Sequence, residues 1–184
     1  RIAELNERVE ALYGQGKYAE ARELAEQSLA VAEEALGLEH PDTASSLNIL
    51  AFLHQAMGDL PAGRQLFERA LSIREKALGP KHPEMATSLN NLAAVLLSMG
   101  DLPAARPLYE RALAIREMAL GPEHPDTASS LNNLALLLQD MGDLPAARPL
   151  YERALAIHEK ALGQEHPLTA TSLNNLGRLL QAMG

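Results

Sequence analysis

The chain has 184 residues, of which 47% are hydrophobic but only 3% aromatic, and its abundance of Ala, Leu, Glu and Arg favours helices over β-sheet. A formal net charge of −8 leaves little positive charge to neutralise phosphates, so we expect no nucleic-acid partner. The absence of cysteine excludes disulfides, thiolate metal sites and thiol nucleophiles.

Membrane insertion is not expected either. No apolar run approaches the roughly 18 residues of a membrane-spanning helix, and the start of the chain has no signal-peptide pattern. We therefore expect a soluble, cytoplasmic protein that makes no membrane contact. Because the sequence does not begin with Met and stops at Gly184 in the middle of a motif, we also expect it to be part of a longer array.

The sequence repeats itself with a period of 42 residues. The segments 84–125 and 126–167 differ at only 10 of 42 positions, and single residue types mark the period along the whole chain. Such periodicity predicts an array of stacked units that each pack on their neighbours. The marking residues are Asn48, Asn90, Asn132 and Asn174; His40, His82, His124 and His166; and Gly16, Gly58, Gly100, Gly142 and Gly184.

Each repeat begins with an amphipathic helix, as apolar residues at positions i, i+3, i+4 and i+7 indicate. A Gly-Asp pair such as Gly142 and Asp143 follows this helix. Glycine suits a left-handed C-cap, and the Asp carboxylate can accept from free backbone N–H groups as an N-cap. The pair therefore predicts a short turn between two antiparallel helices. In the segment 126–167 the apolar stripe consists of Leu131, Leu134, Ala135 and Leu138.

The second helix of each repeat has about 18 residues and a length of about 27 Å. In the segment 84–125 it ends in ALGPEHP, where Gly121 is predicted to take the αL conformation as a C-cap. Pro125 suits the first position of the next helix, and it keeps the preceding His124 out of the helical region. The recurring His residues occur once per repeat, which gives no cluster of metal ligands. We expect a structural role for them in this loop.

The run LYERALAIREMALGPEHPDTASSLNNLA resembles the 42-residue variety of tetratricopeptide repeat found in kinesin light chains and many bacterial arrays. The resemblance covers essentially the whole chain. It implies an all-α, right-handed superhelical solenoid of antiparallel helix pairs, in one array over 1–184 with four repeats and one extra helix. The expected parts are a degenerate first repeat at 1–41, repeats at 42–83, 84–125 and 126–167, and the first helix of a fifth repeat at 168–184.

The resemblance also implies that first-helix residues beside the apolar stripe line a concave groove that binds a protein or peptide. Phe52, Leu97 and Leu136 differ between repeats and would form side-chain pockets. The only basic residue in this set is Arg178, which disfavours an acidic ligand. The candidate groove residues are Asn48, Phe52, Gln55, Asn90, Leu97, Asn132, Leu136, Gln139, Asn174 and Arg178.

Two interpretations remain open for the column of Asn residues. Each Asn side chain offers one acceptor and two donors, so the column can pair with the backbone of an extended peptide without reading its sequence. Alternatively, these residues satisfy backbone groups between repeats, or are retained by duplication. The sequence does not decide between these interpretations.

The sequence contains no nucleophile beside a plausible base and no Gly-rich phosphate loop, so we expect no enzyme, no cofactor and no metal site. The predicted function is that of a protein-interaction module. The alternative is an architectural spacer or self-associating scaffold within a larger protein, which the near-identity of the repeats favours. The last helix lacks a second-helix partner, so we expect either a monomer or weak self-association through that helix.

Overall fold

The computed structural model describes residues 1–184 and is entirely helical, which confirms the all-α prediction. The chain divides into two compact units, Arg1–Met99 and Gly100–Gly184. None of the helices has the length and apolarity needed to cross a membrane. The first unit contains α1 (Ile2–Gly14), α2 (Tyr18–Leu36), α3 (Pro41–Ala56), α4 (Leu60–Leu78) and α5 (Pro83–Ser98). The second unit contains α6 (Leu102–Leu120), α7 (Pro125–Asp140), α8 (Leu144–Leu162) and α9 (Pro167–Met183).

The core of the first unit begins where α1, α2 and α3 meet. Val9 of α1 packs with Ala21 and Ala25 of α2 and with Leu50 and Leu53 of α3. Because the two alanines are small, the backbone of α2 can approach both first helices closely. The first repeat therefore has a well-buried apolar core, although its sequence departs most from the others.

Two helix pairs, one in each unit, contain the same Leu-to-Ile contact. Leu47 of α3 packs with Ile73 of α4 in the first unit, and Leu131 of α7 packs with Ile157 of α8 in the second. Both leucines are fully buried, and burial of one such side chain contributes about 1.5 to 3 kcal/mol. The apolar stripe predicted for the first helices thus has two partners: Leu47 packs on the second helix of its own repeat, whereas Leu50 packs on the preceding repeat.

The predicted Gly-Asp turn is confirmed before α4, α6 and α8, whereas α2 has Lys17 at this place and no side-chain cap. Gly142 has φ of 83°, a conformation that side chains with a Cβ rarely adopt. Asp143 then caps α8, since its Oδ1 accepts from the Ala146 backbone amide at 3.2 Å. Glycine and aspartate therefore end one helix and begin the next within three residues.

The predicted αL conformation of Gly121 is wrong. Its φ is 95° as expected for glycine, but its ψ is 160°, which places it in the extended region at positive φ that only glycine populates readily. The physical reason lies in the following helix. Thr127 Oγ1 donates to the Gly121 carbonyl at 2.9 Å, so this carbonyl points towards α7 instead of continuing the turn of α6.

The recurring His residues are N-caps, which confirms the structural role predicted for this loop. Each has an extended backbone with ψ near 140° before the proline that opens the next helix. Since the Nδ1 atom accepts, the neutral ring carries its proton on Nε2. The acceptors His40, His82, His124 and His166 pair with the backbone amides of Asp42, Glu84, Asp126 and Leu168 at 3.1 to 3.3 Å.

Replacing His124 by alanine tests this cap. We expect His124→Ala to lower the free energy of unfolding by about 1 kcal/mol, as is typical when a side-chain N-cap is removed. His124→Asn retains an acceptor at the same place and should lose much less. Urea denaturation followed by circular dichroism measures both variants, and equal losses would show that the Nδ1 bond contributes nothing.

Candidate functional site

The Asn column lies mostly beneath the surface of the first helices. Asn48, Asn90 and Asn132 expose only 7%, 8% and 7% of their area, whereas Asn174 on α9 is exposed. A ligand on this surface would meet the first three residues only at their edges. Their burial supports the interpretation in which the column stabilises the packing of repeats.

In the second unit, the column belongs to a buried hydrogen-bond network. The Asn132 Nδ2 atom donates to Ser172 Oγ at 2.6 Å, and this hydroxyl lies 2.8 Å from His158 Nδ1. His158 Nε2 lies 3.1 Å from the Pro125 carbonyl. Because a carbonyl only accepts, Nε2 carries the proton and Nδ1 accepts from Ser172. The network joins α7, α8 and α9, and within it Asn132 pairs with a side chain of the next repeat and not with the backbone groups considered from the sequence.

The first unit fills the same place with a different side chain. Arg74, which occupies the repeat position of His158, donates to Ser88 Oγ at 2.8 Å and to Ser45 Oγ at 3.1 Å. Burial lowers the pKa of Arg74 below its usual range, and Glu84 opposes this effect. The guanidinium therefore links α3 to α5, as His158 links α7 to α9.

The most exposed aromatic groups of the first unit lie in a cleft between α1 and α3, with a volume of about 410 Å³. Phe52 is 43% exposed and Tyr13 is 44% exposed. A second ring holds each of them edge to face: Phe67 at 5.1 Å from Phe52 and Tyr18 at 5.3 Å from Tyr13. We call this the α1–α3 cleft, and its lining consists of Val9, Glu10, Tyr13, Ile49, Phe52 and Leu53.

Sequence reasoning identified Phe52 but missed the half of the cleft that α1 supplies. The repeat pattern of residues 1–41 is weak, and the sequence therefore does not by itself indicate that they contribute to the groove. The repeat register would have found them, because Glu10 and Tyr13 lie 42 residues before Phe52 and Gln55. Two further candidate groove residues of the first unit, Gln55 of α3 and Leu97 of α5, are half-buried.

The second unit presents a different set of groups. Leu136 and Gln139 of α7 are half-buried, and Arg178 of α9 is exposed. The hydroxyl of Tyr151 donates to Gln139 Oε1 at 3.4 Å, and burial raises the pKa of this tyrosine to about 12. Gln139 is thus partly occupied by its own chain, while the guanidinium of Arg178 is open to solvent.

These surfaces combine apolar, amide and charged side chains. They offer aromatic and aliphatic groups, amides, one carboxylate from Glu10 and one guanidinium from Arg178. No group of three or more His, Cys, Asp and Glu residues that could hold a metal ion is found in residues 1–184. The side chains are therefore suited to contacting another molecule.

Comparisons with known proteins agree with this architecture. The family model described as tetratricopeptide repeat matches residues 1–62, 43–118, 84–160 and 126–184. A kinesin light chain-like protein of Podosopora anserina with nearly identical TPR-like repeats is 33% identical, with a TM-score of 0.85, over 100% of this chain and 87% of that one. A point variant of it gives 32% identity and a TM-score of 0.86 over the same shares.

BtubC from P. vanneervenii is 26% identical, with a TM-score of 0.86, over 100% of this chain and 73% of that one. No curated protein matches the chain. Capped helix hairpins that recur every 42 residues define a helical-repeat protein. The chain belongs to the tetratricopeptide-repeat family and is of the kinesin light chain-like type.

The buried network predicts unequal roles for two residues at the same repeat position. Asn132→Ala removes the donor to Ser172 in a buried site and should lower the free energy of unfolding by about 1 to 3 kcal/mol. The matched variant Asn174→Ala changes an exposed side chain and should stay within about 0.5 kcal/mol of wild type. Denaturant titration of both measures the difference, and similar values would contradict a structural role for the buried Asn.

Proposed function

We propose that this chain is a protein-interaction module that binds an extended or short helical peptide segment of a partner on the first-helix faces of its units. Tetratricopeptide repeats generally mediate contacts between proteins, but a fold alone does not specify a function. The observation that carries the proposal is the half-exposed Phe52 in the α1–α3 cleft, held in place by Phe67. Fixed, partly exposed aromatic rings are typical anchors of protein recognition.

The buried and exposed residues of this face would have separate tasks. The Asn residues keep the first helices in register, while exposed residues one turn away contact the peptide. The Oδ1 atoms of Asn48 and Asn132 have no hydrogen-bond partner within the chain. Each would have to turn from its buried position to accept from a peptide N–H group, and on that condition the peptide-pairing role of the column stays part of the proposal.

A self-associating scaffold is the second candidate, and α9 favours it. Leu173 and Leu180 are 57% and 44% exposed, whereas Leu131 and Leu138, at the same repeat positions of α7, are 0% and 6% exposed. The exposed leucines lie seven residues apart on one stripe of α9. An apolar stripe of this kind can pair with a second copy of the chain.

Selection from a library of random 12-residue peptides displayed on phage tests the proposal. We expect the selected peptides, measured by fluorescence polarisation, to lose at least about tenfold in affinity to a Phe52→Ala plus Leu136→Ala variant, as loss of interface anchors predicts. The control Met118→Ala truncates an exposed second-helix residue and should bind like wild type.

Failure to select any peptide, or equal affinity for the double variant and wild type, would contradict peptide binding on the first-helix faces. Light scattering then tests the second candidate function, the self-associating scaffold. A molar mass that rises with concentration in wild type but not in Leu173→Gln would favour the scaffold.

A further inference from the structure

The walls of the α1–α3 cleft are preformed. Tyr13 and Phe52 each expose nearly half of their area while a second ring packs against them from behind. Neither ring can close over the cleft without losing its edge-to-face contact, which is worth about 0.5 to 1.5 kcal/mol. An incoming side chain would therefore find the space already open.

The floor of the cleft is apolar. Val9 and Leu53 are 2% and 1% exposed, and Ile49 is half-buried. A volume of about 410 Å³ lies at the small end of the range of about 300 to 1,000 Å³ found for ligand pockets. A charged side chain would lose its hydration on this floor without gaining a partner. The floor thus suits an aliphatic or aromatic side chain.

The one charged group in the lining is the carboxylate of Glu10. Glu10 is exposed and makes no ion pair with another residue of the chain. The nearby Arg8 lines a different surface, between α1 and α2. With no basic residue in the cleft and a chain charge of −8, the rim attracts cations and repels anions.

These features together specify the chemistry of a ligand. We propose that the α1–α3 cleft takes an aliphatic or aromatic side chain of a partner peptide in which a neighbouring residue is Lys or Arg, and that this cation pairs with Glu10. The proposal rests on the peptide-binding function proposed above and adds the partner's sequence preference. The repeat position shared by Glu10 and Phe52 is Ala94 in α5, Leu136 in α7 and Arg178 in α9. Because none of these is a carboxylate, the preference belongs to α1 and α3.

Three labelled nonapeptides test the preference: GSGKFKGSG, GSGKAKGSG and GSGEFEGSG. In low-salt buffer we expect the chain to bind the Lys-Phe-Lys probe about fivefold more tightly than the Glu-Phe-Glu probe, with the Lys-Ala-Lys probe weakest. Chemical-shift perturbation in ¹⁵N spectra measures such weak binding and locates it on α1 and α3. Adding salt to about 0.5 M should remove most of the difference.

The variant Glu10→Lys should bind the Glu-Phe-Glu probe more tightly than the Lys-Phe-Lys probe, which reverses the order of affinity found for wild type. Glu20→Lys, an equal change of net charge at an exposed residue of α2 outside the cleft, should leave the order unchanged. An unchanged order in Glu10→Lys, or no binding of the Lys-Phe-Lys probe to wild type, would overturn the proposal. Library peptides that still depend on Phe52 and Leu136 would in that case leave the general peptide-binding function intact.

Discussion

The structure depends on the close packing of one buried Leu of a first helix against Ala and Ile of the second helix that follows it. Leu47 with Ala70 and Ile73, and Leu131 with Ile157, form this contact in the two units. Because alanine is small, the backbones of the two helices can approach closely, and one face of the first helix is buried against the second helix of the same hairpin. A period of 42 residues keeps this contact in register from repeat to repeat. The faces of the first helices that remain accessible to other molecules are those outside this buried contact.

A polar layer lies beside this apolar contact. Different side chains supply its hydrogen bonds, while Oδ1 of Asn48 and of Asn132 has no partner within the chain. Arg74 donates to serines in the first unit, whereas His158 bridges Ser172 and a carbonyl in the second. In the first repeat, Ser28 Oγ donates to Asn6 Oδ1 at 2.7 Å. What recurs is the need to pair buried polar groups, because an unpaired one costs about 1 to 3 kcal/mol. The particular side chain that does so is free to change.

The sequence predicts the helices and their turns well, because hydrophobic periodicity and capping act locally. The caps at Gly142 and Asp143 are examples. Periodicity identifies a face of a helix but not the depth of a residue, so the burial of Asn132 could not be predicted. The ψ angle of Gly121 depends on a hydrogen bond from the next helix. The α1–α3 cleft depends on residues of the first repeat, whose sequence pattern is weak. Each of these features is set by contacts between helices.

Near-identity of the repeats does not prevent selective recognition. One repeat position is always Asn: Asn6, Asn48, Asn90, Asn132 and Asn174. The position one helical turn later differs in every repeat: Glu10, Phe52, Ala94, Leu136 and Arg178. Packing constrains the first position, because its side chain is buried at Asn48, Asn90 and Asn132. The second position faces the surface and carries no such constraint. An array copied from one unit can thus keep its fold while an acid, an aromatic ring, an aliphatic chain and a base give each segment of the surface its own chemistry.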